Sequence, residues 1–225
     1  MKPTNPEKTR VVILISGRGS NMQALVRAAS QMNNVNIVAV LSHSLNSDGL
    51  AWARTQGIET EQLVYDAAGG QTRAQYDQLL CQHIDRYQPD LVLLAGFMRI
   101  LSDEFVQHYS GRLVNIHPSL LPLFPGMHTH QQALDAGVRV HGCSVHYVIP
   151  ALDQGPIIAQ AAVPVLSDDT VQTLAARVLQ MEHKLYPKVL EWLAQGQVFL
   201  DPQGKVGLTQ PLPLHQFYTA PDKVS

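Results

Sequence analysis

The sequence predicts an α/β fold: a mostly parallel, twisted sheet with helices on both faces and an antiparallel C-terminal extension. Two observations carry this. Over residues 10–195 short apolar runs alternate with amphipathic segments, the pattern of repeated βαβ units. After residue 138 that alternation stops, and two longer extended stretches follow with no helix between them.

Taken in order, strands are expected at Arg10–Ile15, Asn36–Ser42, Glu59–Leu63, Leu91–Ala95 and Leu113–Ile116, where apolar residues cluster between turn residues. Helices are expected near Asn21–Met32, Leu50–Gln56, Arg73–Tyr87 and Asp103–Tyr109. Val138–Val148 and Pro156–Val163 form the antiparallel extension. A long helix then runs from about Thr170 to Ala194, capped by Asp168 or Asp169. Val171, Leu174, Ala175, Val178, Leu185 and Val189 make its apolar stripe at helical spacing. Glu182 falls on the same stripe, where a carboxylate needs a partner or a ligand. From Gln197 the chain is richer in Pro and Gly, and residues 199–204 suggest a turn or small hairpin.

The chain has 225 residues, 45 % of them apolar and 15 % charged, the balance of a folded globular protein. No linker interrupts residues 10–195, so a single domain over 1–225 is expected, with its core at about 10–195 and the tail from 197 peripheral. The net charge of −2 speaks against a nucleic-acid partner, which needs a basic face to neutralise phosphates. Any phosphate must therefore be caught by a local loop. Cys81 and Cys143 match no metal-ligand spacing and read as two reduced thiols. The first apolar run, Val11 to Ile15, is too short for a signal peptide or a membrane helix, so a cytoplasmic protein with no membrane partner is expected.

The same run leads into Ser16-Gly17-Arg18-Gly19-Ser20-Asn21 and then a helix. Gly17 and Gly19 let the backbone bend sharply and approach a ligand. The open amides and dipole of the helix start favour an anion there. A plain turn with Ser20 or Asn21 as helix cap is an equal reading of the loop taken alone.

Leu113 to Pro122 contains Asn115 and His117 two residues apart on an extended strand, so their side chains share a face. Pro118 keeps His117 extended. Strand ends of this kind are where sites form in open α/β sheets, and an amide beside an imidazole suits a developing oxyanion. Further on, Gly142, Ser144 and His146 share a strand face, and Gly142 leaves room for a flat ligand or a close backbone. Asp153, before Gly155-Pro156, reads by itself as an Asx-turn residue. His128, His130, His141 and His146 lack any motif with an acid at metal-binding spacing, so no catalytic metal is expected.

As a set these segments resemble the phosphoribosylglycinamide formyltransferase family. The set comprises Gly17 to Asn21, Ala95 to Leu101, Asn115 to Pro122, His128-Thr129-His130, His141 to His146 and Leu152-Asp153-Gln154-Gly155-Pro156. The resemblance covers roughly residues 10–195. It implies a Rossmann-like sheet and transfer of the formyl group of 10-formyltetrahydrofolate to the amine of glycinamide ribonucleotide in purine synthesis. It implies that Gly19, Ser20 and Asn21 hold the ribonucleotide phosphate and Glu182 the ribose. Arg73, Met98, Arg99, Ile100 and Leu101, with Asn115, Ile149, Pro150, Ala151, Leu152 and Asp153, would contact the folate. Asn115, His117 and Asp153 would be catalytic, with Ser144 and His146 supporting them. Formyltetrahydrofolate is a co-substrate here, no metal is implied, and the state would be monomer or homodimer.

Two departures stand out. Leu179 replaces a polar substrate-contacting residue, so contact there would run through backbone, and Pro150-Ala151 replaces a more acidic stretch. Two relatives of the same chemistry fit less well. A methionyl-tRNA formyltransferase would need a further C-terminal domain and a basic surface, and a formyltetrahydrofolate deformylase an extra N-terminal domain. A non-catalytic phosphate-binding module would leave Asn115, His117 and Asp153 without work.

Overall fold

The computed structural model describes residues 8–211, which fall into two compact units, one ending at Leu113 and one beginning at Val114. The first unit holds β1 (Thr9–Ile15), α1 (Ser20–Ala29), β2 (Val35–Ser42), α2 (Asp48–Thr55), β3 (Glu59–Gln62), α3 (Arg73–Asp85), β4 (Leu91–Leu94) and α4 (Asp103–His108). Its strands are parallel, in the order β3-β2-β1-β4. Val11 to Ile15 are fully buried, which explains why β1 is apolar without alternation: both faces of a parallel strand are covered. The order matters for function. Successive strands are laid outward from β1, and then β4 returns to its other side. The loops after β1 and β4 therefore part at the point where open α/β sheets hold ligands.

The second unit begins within β5 (Leu113–His117) and continues through α5 (Thr129–Asp135), β6 (Val140–Tyr147), β7 (Ile157–Pro164) and α6 (Val171–Ala194). It closes with a hairpin of β8 (Val198–Leu200) and β9 (Val206–Leu208). β6 pairs antiparallel with β5 and with β7, which is the expected extension. Gly142 serves close backbone approach: a Cβ there would lie 1.9 Å from the Ala161 carbonyl oxygen.

Three details differ from expectation. The cap of α6 is Thr170, whose hydroxyl accepts from Thr173 N and whose own N–H is bonded by the Thr173 hydroxyl. Asp169 is diverted to Arg177, two turns on, where both carboxylate oxygens take guanidinium bonds. α1 is capped by Gly19 in a left-handed conformation, with no side-chain cap from Ser20 or Asn21. Helix α5 was not expected, since only Thr129 and Ala133 of its seven residues are buried and no apolar period marks it. Glu182 does lie on the buried face of α6, beside Val178 and Leu185. Tail residues beyond 211 lie outside the described residues. Among the described residues no helix is long and apolar enough to cross a membrane.

Candidate active site

In the first unit the loop after β1 borders a cleft of about 330 Å³, lined by Ser16 to Asn21 together with Ala95, Gly96 and Met98. Gly19 needs to be glycine: its φ is +67°, and a Cβ would meet Met22 and the Gly49 backbone. The Gly17 carbonyl is held from behind by the Gly49 amide and the Ser47 hydroxyl, both at 3.1 Å. The first turn of α1 carries no acidic residue and Gly19 supplies no side-chain cap, and a helix start of this kind favours an anion.

Sequence reading did not foresee how this loop is tied to the one after β4. The Met98 amide donates to the Ser16 hydroxyl at 2.7 Å, and that hydroxyl lies 2.7 Å from His43 Nε2. A neutral His43 can accept the Ser16 hydrogen there or donate to the hydroxyl, whose two lone pairs can take two donors. Burial, with help from the Arg99 charge, lowers the His43 pKa and favours that form.

The residues expected to meet folate from this unit are spread along its surface. Among the described residues Met98 and Ile100 are 72 % and 61 % exposed, large apolar side chains open to a ligand. Leu101 is half-buried, and Arg73 is exposed at the start of α3. The Arg99 guanidinium stacks on the rings of Tyr65 and Tyr76, at 4.0 and 4.3 Å.

The second unit brings Asn115, His117 and Asp153 together. β5 aims Asn115 and His117 to one face, and β6 sets His146 beside Asn115 and Ser144 beside His117. His117 Nδ1 lies 3.5 Å from Asp153 Oδ2, both side chains being less than a tenth exposed. Asp153 Oδ1 lies 3.9 Å from His146 Nε2, and that nitrogen is 3.3 Å from Asn115 Nδ2. His146 Nδ1 meets the Tyr147 carbonyl at 3.0 Å. A carbonyl only accepts, so Nδ1 carries the hydrogen and Nε2 of the neutral ring accepts from Asn115. Burial keeps that ring neutral by lowering its pKa, and His117 adds to the effect against Asp153 and the Tyr147 carbonyl.

Ser144 is wholly buried. Its hydroxyl donates to the Ser119 carbonyl at 2.7 Å and accepts from the Leu121 amide and from Gln160, so it anchors the turn that follows His117. Gln160 was not singled out in the sequence, and nothing in its local pattern marks it. On the loop after β6, Ile149 is half-buried while Pro150, Ala151 and Leu152 are exposed. His130 and His141 bond one another at 3.2 Å, and burial followed by the neighbouring histidines holds His141 down at about 4. Among the described residues no group of three or more His, Cys, Asp or Glu side chains is arranged to hold a metal ion.

An amide, an imidazole and a carboxylate at a strand end, in one unit, form a constellation for acyl-type transfer. A glycine loop and a helix start at a topological switch, in the other, form one for an anion. Comparison with known proteins agrees with this class. The formyl transferase family matches residues 9–190, and the chain belongs to it. It is 50 % identical over 190 residues to the phosphoribosylglycinamide formyltransferase of Escherichia coli (strain K12), covering 84 % of this chain and 88 % of that protein. It is 45 % identical over 202 residues to the trifunctional purine biosynthetic protein adenosine-3 of Bos taurus, 89 % of this chain but only 20 % of that longer protein. The crystal structure of phosphoribosylglycinamide formyltransferase from Anaplasma phagocytophilum superposes with a TM-score of 0.84 at 42 % identity, over 92 % of this chain and 98 % of that one.

Proposed function

We propose that the chain transfers the formyl group of 10-formyltetrahydrofolate to the amine of 5-phosphoribosylglycinamide, giving formylglycinamide ribonucleotide and tetrahydrofolate in cytoplasmic purine synthesis. The neutral amine attacks the formyl carbon and forms a C–N bond, and the carbonyl oxygen becomes an oxyanion. Asn115 donates its second amide hydrogen to that oxygen. His117, as imidazolium, adds charge and gives a proton to the folate nitrogen as the old C–N bond breaks. The proton lost by the amine returns to His117 by way of Asp153 or water, so the ring ends as it began.

Gly19, Ser20 and Asn21 bind the ribonucleotide phosphate, and Glu182 its ribose. Arg73, Met98 to Leu101 and the 149–153 loop contact the folate; Arg99 does so through its backbone, since its guanidinium is stacked on Tyr65 and Tyr76. A single domain, acting as a monomer or homodimer without metal, suffices for this chemistry.

The observation that supports the reading most is the grouping of His117, Asp153 and His146-held Asn115, in a chain whose family match spans these positions. The test is release of tetrahydrofolate from 10-formyltetrahydrofolate, with and without the ribonucleotide. Release only with acceptor is expected. Release without it would mean deformylation, and no release would mean a binding protein.

A further inference from the structure

His117 has two ring nitrogens, and the turn after β5 determines which of them is free to work. Its Nε2 lies 3.0 Å from the Phe124 carbonyl oxygen, which can only accept, so Nε2 carries a hydrogen in every protonation state that keeps this bond. Nδ1 is left facing Asp153 Oδ2. The same carboxylate oxygen takes the Gly126 amide at 2.8 Å. One three-residue turn, Phe124-Pro125-Gly126, therefore holds the imidazole with a carbonyl and the carboxylate with an amide.

The turn is held in a costly shape. Phe124 has φ +54°, although a residue before proline prefers an extended backbone. Gly126 at +77° and His128 at +60° are left-handed too. Such strain persists only where the surroundings over-determine it. Here the Ser119 hydroxyl bonds the Leu123 carbonyl at 2.6 Å, and the Phe124 ring packs edge-on to His141, itself bonded to His130. Thr129 ties the far end back to the Pro118 carbonyl at 2.7 Å. The titratable groups around His117 are Asp153, His146, His130 and His141.

We propose that the Phe124–Gly126 turn is the positioning device of the site. The Phe124 carbonyl fixes His117 as its Nε2–H tautomer and makes Nδ1 the nitrogen that exchanges a proton, while the Gly126 amide holds Asp153 against it. The kinetic consequences rest on the formyl-transfer reading; the tautomer does not.

Two measurements test it. In ¹⁵N-histidine NMR of the full chain, with the His117 signals assigned against His117→Gln, the neutral ring is expected to carry its proton on Nε2. Finding the proton on Nδ1 instead would overturn the proposal whatever the activity. Gly126 is the second handle, because a Cβ there meets nothing within 4 Å and a substitution acts through backbone conformation alone. Asn tolerates the left-handed region and a β-branched residue does not, so Gly126→Val should lose roughly tenfold or more in kcat with KM values nearly unchanged. Gly126→Asn should recover to within about threefold of wild type, because the backbone strain is then largely relieved. Equal losses in the two variants, or a loss carried by KM, would refute the role of the amide. Should Gly126→Val fail to fold, Gly126→Asn and the wild-type spectrum still decide. A wild-type chain without acceptor-dependent turnover would sink the formyl-transfer reading and leave the tautomer to the NMR result.

Discussion

Removing the amide of Asn115 is the perturbation that reads the proposed chemistry most directly. Of its two amide hydrogens one is engaged by His146 Nε2 at 3.3 Å, which fixes the plane of the group and leaves the other to point into the site. In Asn115→Ala the oxyanion loses that donor while His146 keeps its bond to the Tyr147 carbonyl and stays neutral. Loss of one preorganised oxyanion donor costs about 2.7–4 kcal/mol of transition-state stabilisation, a fall of ~10²–10³ in kcat. The structural cost, about 1–3 kcal/mol for leaving the buried His146 Nε2 without its donor, falls on the fold and is read separately in the melting temperature. The assay is initial-rate tetrahydrofolate release against both substrates, with a thermal melt beside it. A kcat within tenfold of wild type, or a loss expressed in KM instead, would refute the assignment of Asn115 as an oxyanion donor.

Other consequences are open to simple experiments. Ser20→Ala should raise the ribonucleotide KM by roughly 10-fold or more and leave kcat almost intact, because a hydrogen bond to a charged group is worth about 1.5–3 kcal/mol in binding; an unaltered KM removes the phosphate assignment. Gly142→Ala would put a Cβ 1.9 Å from the Ala161 carbonyl oxygen. Overpacking of that kind costs about 1–3 kcal/mol, which a melt should show as a Tm lower by roughly 3–10 °C. The Arg177 guanidinium, through its hydrogen bonds, holds the Asp169 carboxyl far below its ordinary 3.8. A carboxyl depressed in this way stabilises the fold above its unfolded value and loses that contribution as pH falls. The Tm gap between wild type and Asp169→Ala should thus be full at neutral pH, shrink below pH 3.8 and close in stronger acid. A gap that persists in strong acid would mean the pair acts through packing.

Much of the fold was legible because apolar period and turn residues are local signals. The apolar run ending at Ile15 reads as a strand, which the structure buries completely from Val11 to Ile15, and the change of texture after residue 138 located the antiparallel β6 and β7. What local reading could not supply was competition between partners. Asp169 looks like the cap of α6 until Arg177, eight residues on, is seen to claim it, and Thr170 takes the cap. Helix α5 was missed because its seven residues bury little and follow a turn of left-handed residues. Asn115 and His117 could be named from residue type and spacing; Asp153, which by itself reads as an Asx-turn residue, could be named only through the family resemblance. Phe124 and Gly126 could not: the bonds they make run through a carbonyl and an amide that almost every residue has.

That distinction explains why Gly155 sits two residues after Asp153. A Cβ at Gly155 would lie 1.7 Å from the Tyr147 carbonyl oxygen, so only glycine lets that carbonyl stand where it meets His146 Nδ1. With its proton on Nδ1, the neutral His146 offers a lone pair at Nε2, and Asn115 must turn its Nδ2 to it rather than its oxygen. Exchange the ring's tautomer and the amide would flip, presenting an acceptor where a donor is wanted. Asp153 lies between two imidazoles, but burial keeps His146 uncharged, which leaves His117 as the ring for the carboxylate to pair with. Each histidine is thus assigned its role by the main-chain carbonyl it bonds, Tyr147 for one and Phe124 for the other. The side chains proposed to do the chemistry depend on backbone geometry, fixed in part by a glycine outside the proposed substrate contacts.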